Sequence, residues 1–584
     1  MPAPDLQTFV KELERRGLLK RISAAVDPIL EITEIYDRVV KAGGPALLFE
    51  NVQLAHGAHS SRASGSSAPD CCARMPVLIN TFGTQERMCL ALGADSLDDI
   101  AARVKLLVKP EIPTTFFEKL KKLPQLLELG SLPPKVVKRG MCQEVVHKEE
   151  ADLTALPAIK CWPGDGDLSD NVYSHVRELV RLAEKSTNNA GVGGSGSSLE
   201  SESFRQSLAA ANEGSEHARE LFGIGDLNPK SKIQDPKSID PAALVPPPNS
   251  GRYLTLTNVF TKHPETGDRN IGMYRVQVLG PKLAAMHWHM HHDGARHFRA
   301  YKRLGKRMPI AISFGGPSVM PYAATCPLPP GIDECLFAGF LNGGAIELVP
   351  CVTQPDIEVP ANAELVVEGY IDPHEAPVIE GPFGDHTGFY SLADLYPRLH
   401  ITAITHRKQP IYPTTVVGKP PQEDFWLGKA TERIFLPLLQ MLVPDIIDYN
   451  LPMFGCFHNC AFVKIRKEYP LQARRVMSAI WGAGQMAFTK MIVVVDEQVD
   501  VHNEQDVLFH MLANCDPRRD LMIIDGPLDI LDHAAPVCGA GSKIGWDATR
   551  KWPGEGAVRA WPGELEMSAE IKERVTRRWR EYGI

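Results

Sequence analysis

The chain opens on a helical pattern. Leu6, Phe9, Val10 and Leu13 fall on one face of residues 5–16, with charged and polar side chains between them, and Gly17 supplies a C-terminal stop. Apolar runs bounded by turn residues at 45–52 and 76–82 read as strands, and helical spacing returns at 96–108 and 116–129. These elements predict an N-terminal α/β domain over 1–145. Strands then dominate, at 252–261, 270–279, 284–291, 308–314 and 364–371, separated by Gly/Pro turns. They predict a β-rich, split-barrel-like central domain with inserted helices over 146–417. After Gly418 helical patterns at 430–442, 469–481 and 507–515 alternate with strands such as 491–495. That texture predicts a C-terminal α/β domain over 418–584, closed by a charged helix at 569–582. The fold class is mixed α/β (α+β).

Length and composition narrow the picture. A chain of 584 residues exceeds one ordinary domain, and 44% hydrophobic content is ample for several cores. A net charge of -8 gives no basic footprint for nucleic acid. Two segments, 56–68 and 188–203, are rich in Ser, Gly and Ala and nearly devoid of large apolar side chains, which predicts flexible surface loops. The second runs on to the prolines at 246–248, so the central domain carries an insert near 186–250. The 12 cysteines are mostly scattered; Cys71 and Cys72 are vicinal, and Cys456 and Cys460 lack a second pair to complete a zinc site. Reduced thiols of a cytoplasmic protein are expected. No secretory signal and no apolar run of about 18 residues is visible. The apolar stretch 434–442 reads as a core or subunit-interface helix, with peripheral membrane contact as the alternative.

Candidate chemistry concentrates in the middle of the chain. In the loop from Glu380 to Gly388, two carboxylates, Glu380 and Asp385, lie five residues apart on a backbone carrying three glycines and a proline, which predicts turns rather than regular helix or strand. A carboxylate pair held this way can supply one ionised and one protonated acid, since the charge of one raises the pKa of the other. Alone, such a pair also describes a solvated surface turn.

Upstream, Met286 to Gly294 contains His287, Trp288, His289, His291, His292 and Asp293. On a strand His287, His289 and His291 would share a face, because side chains alternate with period two. Three histidines on one face suit a catalytic zinc with one open position, or a surface strand with hydrogen-bonded imidazoles. A second ligand set is Asn270, one of the histidines and Glu334, an oxygen-rich shell that suits manganese or magnesium and a bridged phosphate. Glu334 also reads as the acidic start of a helix. Arg275 can pair with Glu380 or grip a phosphate through its planar fork.

Several ordered motifs together resemble the UbiD-type decarboxylases: Asn270-x-Gly-Met-Tyr-Arg275, Met286-x-Trp-x-x-His291, the proline-rich approach to Glu334, and Glu380-Gly-Pro-Phe-Gly-Asp385-His-Thr-Gly. The likeness continues through Val367 to Ile371, Gly541 to Thr549 and Lys551 to Glu555, and covers nearly the whole chain outside the two low-complexity inserts. It implies a prenylated flavin mononucleotide (prenylated FMN) and a divalent metal, usually Mn2+, with a monovalent cation such as K+ nearby. Carried over position by position, Asn270, His291 and Glu334 would hold the metal. Met273, Tyr274 and Arg275, with His287, Trp288, His289, His292 and Asp293, would line the cofactor. Arg275, Glu380 and Asp385 would form the catalytic trio. Asp stands at 385 where some members have Glu, and the histidine run leaves the choice of His291 over its neighbours open.

The residues agree with that chemistry. Decarboxylation must place the electrons of the C–COO⁻ bond somewhere; side chains are poor sinks, and cofactors carry that burden. Glu380 beside Arg275 is expected to stay ionised, and its charge plus burial to keep Asp385 protonated as the proton donor. Within the family, overall likeness favours a 3-polyprenyl-4-hydroxybenzoate, converted to a 2-polyprenylphenol in ubiquinone biosynthesis, over a simple hydroxybenzoate or other aromatic acid. A flavin prenyltransferase as cofactor supplier and a homo-oligomer, such as a hexamer, are implied partners. Readings of other classes are a three-histidine zinc hydrolase and a non-catalytic scaffold.

Overall fold

A computed structural model describes residues 1–53, 75–108, 131–173, 250–289, 292–328 and 331–584. The two low-complexity inserts, the helix expected at 116–129, Cys71 and Cys72, the prolines at 246–248 and His291 lie outside the described residues. The first helix, Leu6–Arg15, is set as its pattern requires: Asp5 accepts from the Thr8 N–H at 2.8 Å, the four apolar side chains are buried, and Gly17 takes a left-handed φ of 72°.

Three sheets organise the rest. A four-stranded sheet joins Leu19–Val26, Ala46–Val52 and Val77–Ile79 to Tyr412–Pro413 from much later in the chain. Its first two strands run parallel, as the intervening helix Glu31–Lys41 demands. The central sheet has nine strands, antiparallel throughout, running from Tyr253–Leu254 through Val276–Gly280, Leu283–Met286, Arg398–His406, Ala363–Ile371, Met308–Gly315 and Asn258–Lys262 to Arg269–Gly272. Val145–His147 adds to Arg398–His406 off this path. A third sheet orders Ile446–Asn450, Cys460–Ile465, Met491–Asp496, Ala540–Asp547 and Leu521–Pro527, with Gln472–Ile480 as the crossover helix. The chain thus has a mixed α/β fold around a β-rich centre.

The central sheet is buried on both faces, and its residues divide between two cores by the period of two. Phe260, Ala311 and Val366 pack on one side with the opening helix, while Val259, Ile310, Ile312, Leu365 and Val367 pack on the other with Tyr253 and Trp288. The helix Glu423–Leu442 fastens the C-terminal sheet to this centre. Leu427, Ala430, Ile434 and Phe435 enter the first core, and Leu439 enters the core of the third sheet. Most of the apolar stretch 434–442 is therefore core; only Met441 and Leu442 of its large side chains are exposed. No helix among the described residues is long and apolar enough to cross a bilayer. Cys456 and Cys460 are buried and carry free thiols.

Three expected strands are interrupted. The stretch 252–261 divides into Tyr253–Leu254 and Asn258–Lys262, and 270–279 divides at Met273–Arg275. The strand expected over 284–291 ends at Met286, so alternation does not orient His287 and His289. Periodicity registers apolar continuity, and these breaks turn polar side chains inward without interrupting it. The loop from 380 errs the other way. Val378–Glu380 pairs with Asp394–Tyr396, and Phe383–Gly384 with Tyr390–Ser391, so short ladders replace the expected irregular turn. Positive φ values at Gly381 (89°) and Gly388 (81°) supply the bends.

Candidate active site

The breaks in the strands deliver the site. Released from the ladder after Gly272, Arg275 reaches two carboxylates. Its Nε and Nη2 donate to Glu380 Oε1 and Oε2 at 2.9 and 3.1 Å, and its Nη1 donates to Asp385 Oδ2 at 2.6 Å. Nη2 also donates to Ser391 Oγ at 2.9 Å, and the guanidinium lies 4.6 Å from the centre of the Phe383 ring. Arg275, Glu380 and Asp385 are all nearly or wholly buried, so one cation serves two buried acids.

His287 completes the second side of Glu380. Its Nδ1 lies 3.0 Å from Glu380 Oε2, and its Nε2 lies 2.8 Å from His289 Nε2. With both ring nitrogens engaged, His287 is committed to this network. His289 stacks on His292 at 4.8 Å between ring centres, and its N–H donates to His292 Nδ1 at 3.1 Å. Tyr274 lies between His292, at 4.9 Å, and Trp288, at 6.3 Å. Trp288 is fully buried, and Asp293 begins the helix Asp293–Leu304. Met273 packs against the first core. Tyr274, His287, His289 and His292 thus form a wall of ring contacts beside the carboxylate pair, while Trp288 packs in the second core and Met273 against the first.

Two expected metal ligands come together on neighbouring elements. Glu334 starts the helix Glu334–Asn342, capped by Asp333, and its Oε2 accepts from the Ile271 N–H at 3.0 Å, one residue beyond Asn270. Asn270 is buried, and its Nδ2 donates to Thr261 Oγ1 at 3.3 Å, so its oxygen is the end directed away from Thr261. No cationic side chain pairs with Glu334 among the described residues, and burial, with Asp333 and Asp293 nearby, pushes its carboxyl up to about 8. A buried carboxylate without a cation beside an amide oxygen is a donor set that fits a hard divalent ion.

The charge state of Asp385 departs from expectation. Burial alone would raise its carboxyl. The hydrogen bond from His386 and the charge of Arg275 outweigh burial and hold it well below the usual carboxylate range. Asp385 is therefore ionised at rest, because His386 and Arg275 both serve its carboxylate. His386 was the neighbour overlooked in the motif: its N–H and Nδ1 lie 2.8 and 3.0 Å from Asp385 Oδ1.

Other supporting residues carry weaker sequence signals. Gln277 Oε1 accepts from the Gly381 N–H at 3.0 Å. Asp165, in the turn Trp162-Pro-Gly-Asp165, accepts from the Gly384 N–H at 2.8 Å and from the N–H groups of Cys161 and Trp162. Burial pushes its carboxyl up to about 7. A Cβ on Gly384 would lie 2.1 Å from Trp162 Cδ1, so only glycine fits between the loop and that turn. The dense Gly/Pro/Asp composition of 162–167 is the signal that could have found it.

Known proteins share the sequence pattern and the architecture of this chain. The chain matches, in order, the N-terminal domain (10–107), the Rift-related domain (240–420) and the C-terminal domain (425–548) of 3-octaprenyl-4-hydroxybenzoate carboxy-lyase. It is 43% identical over 582 residues to an uncharacterized protein of Aquifex aeolicus, covering 99% of both chains. Among solved structures it resembles the closed form of vanillic acid decarboxylase from Sedimentibacter hydroxybenzoicus, with a TM-score of 0.71, 22% identity and 99% of each chain covered. It also resembles the UbiD-class enzyme HmfF from Pelotomaculum thermopropionicum in complex with FMN, with a TM-score of 0.64, 23% identity, and 96% of this chain and 97% of that one covered. The chain belongs to the UbiD family of carboxy-lyases.

Proposed function

We propose that this decarboxylase acts on a 3-polyprenyl-4-hydroxybenzoate, releasing carbon dioxide and a 2-polyprenylphenol for ubiquinone biosynthesis, with prenylated FMN bound beside the Arg275–Glu380–Asp385 trio and Mn2+ bound at Asn270 and Glu334. The observation that carries the reading is the buried bridge of Arg275 across Glu380 and Asp385 beside the wall of Tyr274, His287, His289 and His292. The flavin supplies the electron sink that side chains lack. Asn270 and Glu334, with His291 as the third ligand, would hold the metal, with K+ nearby. Arg275 fixes the two acids, Glu380 is its bidentate partner, and Asp385 delivers the proton to the ring carbon. Burial excludes water, so the proton comes from a defined side chain rather than from bulk solvent.

A simple hydroxybenzoate is the second reading, favoured by the fold likeness to vanillic acid decarboxylase over 99% of the chain. The protein is read as cytoplasmic and homo-oligomeric, a hexamer being one such form, with a flavin prenyltransferase supplying the cofactor. Contact with the inner face of the membrane would give access to a prenylated acid. The test is co-expression with a flavin prenyltransferase, followed by absorbance, metal analysis and assay of carbon dioxide release. The reading expects flavin absorbance, stoichiometric manganese and turnover of the prenylated acid. Colourless protein with zinc, or turnover of only the simple acid, overturns it.

A further inference from the structure

We propose that His386 is the proton reservoir for Asp385, with its ring set by His458, so that Asp385, His386 and His458 form a relay between the catalytic loop and the C-terminal region. The inference rests on the reading of Asp385 as the group that protonates product. Asp385 Oδ2 is occupied by Arg275, and Oδ1 accepts from the His386 N–H and faces Nδ1 at 3.0 Å. A carboxylate with a cation on each side does not hold its own proton at rest, so the proton must arrive from a neighbour, and His386 Nδ1 is in place to give it.

The far side of the imidazole fixes its protonation. His386 Nε2 lies 2.9 Å from His458 Nε2, and two facing ring nitrogens share one proton. Burial disfavours charge on His458; the Asp529 charge opposes this, but the His386 charge adds to it, and the ring is held below the ordinary histidine value. In the relay His458 Nε2 is the acceptor, and His386 carries protons on both nitrogens. Burial opposes that charge, but the hydrogen bond and charge of Asp385, then the charges of Asp424 and Asp529, raise the His386 imidazole to about 9. These groups come from four elements: the catalytic loop, the helix Glu423–Leu442, the segment bearing His458, and the turn after Leu521–Pro527. Asp529 lies 3.9 Å from His458 Nε2, and Asp532 also acts on His458.

The backbone carrying His458 supports a placed role. Cys456 and Phe457 both adopt left-handed φ values, 45° and 69°, which side-chain-bearing residues seldom do. Gly428 makes room for the Phe457 ring, since a Cβ there would lie 2.3 Å from Phe457 Cδ1. That ring packs 5.4 Å from His386.

The step balances with one proton. The bond from ring carbon to carboxylate breaks, carbon dioxide leaves, and the electron pair of that bond ends in a new C–H bond. The proton comes from Asp385, which receives the Nδ1 proton of His386. His386 becomes neutral, keeping its own Nε2 proton donated in a hydrogen bond to His458 Nε2, and one solvent proton restores it after product leaves.

Two measurements test the relay. In cofactor-free protein with labelled histidine, NMR should show His386 doubly protonated at about pH 8, and Asp385→Asn should lower its midpoint by at least about one pH unit. In loaded enzyme, His386→Asn should lower kcat by ~100-fold with KM little changed, abolish the alkaline limb of the pH profile, and respond to added imidazole; His458→Gln should move that limb. A His386 ring neutral at pH 7 overturns the proposal. So does a folded, flavin-loaded His386→Asn enzyme with wild-type kcat and pH profile. Full turnover by Asp385→Asn sinks the Asp385 reading itself, whereas an inactive Asp385→Asn beside an active His386→Asn sinks only the relay.

Discussion

Arg275 grips Glu380 through two parallel hydrogen bonds, Nε to Oε1 at 2.9 Å and Nη2 to Oε2 at 3.1 Å, where the Glu380 side chain sees no solvent. A guanidinium makes this fork; an ammonium cannot. Arg275→Ala should therefore destabilise the fold by about 3–5 kcal/mol, because it strands a buried carboxylate. Arg275→Lys should recover part of that stability without recovering turnover. Denaturant titration alongside the carbon dioxide assay reads both.

Asp385→Asn keeps the shape of the loop and removes only the acid. Flavin absorbance should stay near wild type and the melting temperature should fall, because the charge that pairs Arg275 and His386 is lost, while kcat falls by roughly 100-fold or more. Retained turnover would remove Asp385 from the proton path.

Glu334→Gln tests the metal shell. Replacing this buried carboxylate near Asn270 should weaken manganese binding by about 10–100-fold, read by metal analysis after dialysis, with flavin lost in parallel. Unchanged metal content would move the ion elsewhere.

The pairing of His386 with Asp385 makes stability depend on pH. The imidazole is raised to about 9 from its ordinary 6.5, so its contribution is fully present below about pH 6.5 and is lost as pH rises through about 9. Asp385 is depressed, so its contribution is present above about pH 4 and is lost as pH falls toward its folded value. Urea midpoints of cofactor-free protein should fall between pH 7 and about 9.5, and the same curve for His386→Asn should be flatter over that window.

Ile434→Ala and Leu442→Ala separate core from surface on the helix Glu423–Leu442. Ile434 is fully buried and Leu442 is 67% exposed. The first substitution should cost about 2–5 kcal/mol and the second no more than about 0.5. Vesicle co-sedimentation should be unchanged by Leu442→Ala; a loss there would return this helix to the membrane.

What the sequence disclosed follows from what its patterns encode. The opening helix was legible because Leu6, Phe9, Val10 and Leu13 carry both its period and its burial. The continuous strands 308–314 and 364–371 were legible because buried antiparallel neighbours leave long apolar runs. The breaks at Met273–Arg275 and after Met286 were not, since a kink that turns a polar side chain inward leaves no period of its own. Motif likeness brought Asn270, Arg275, Glu334, Glu380 and Asp385 into one list, and Arg275–Glu380 pairing was foreseeable from charge. That Arg275 also reaches Asp385 required the loop to fold back through the pairing of Phe383–Gly384 with Tyr390–Ser391, a contact between residues no local rule joins. His386 stood in the motif unread, because its partner His458 lies 72 residues further on.

Decarboxylation in deuterium oxide tests the central claim most directly. Loaded enzyme and the aromatic acid are incubated to several turnovers, and product is examined by NMR and mass. The expected result is one deuteron per product, at the carbon that held the carboxylate, with carbon dioxide in equal amount and the signal lost in Asp385→Asn. Equal deuterium incorporation by the Asp385→Asn enzyme, or carboxylate retained in the product, would contradict it.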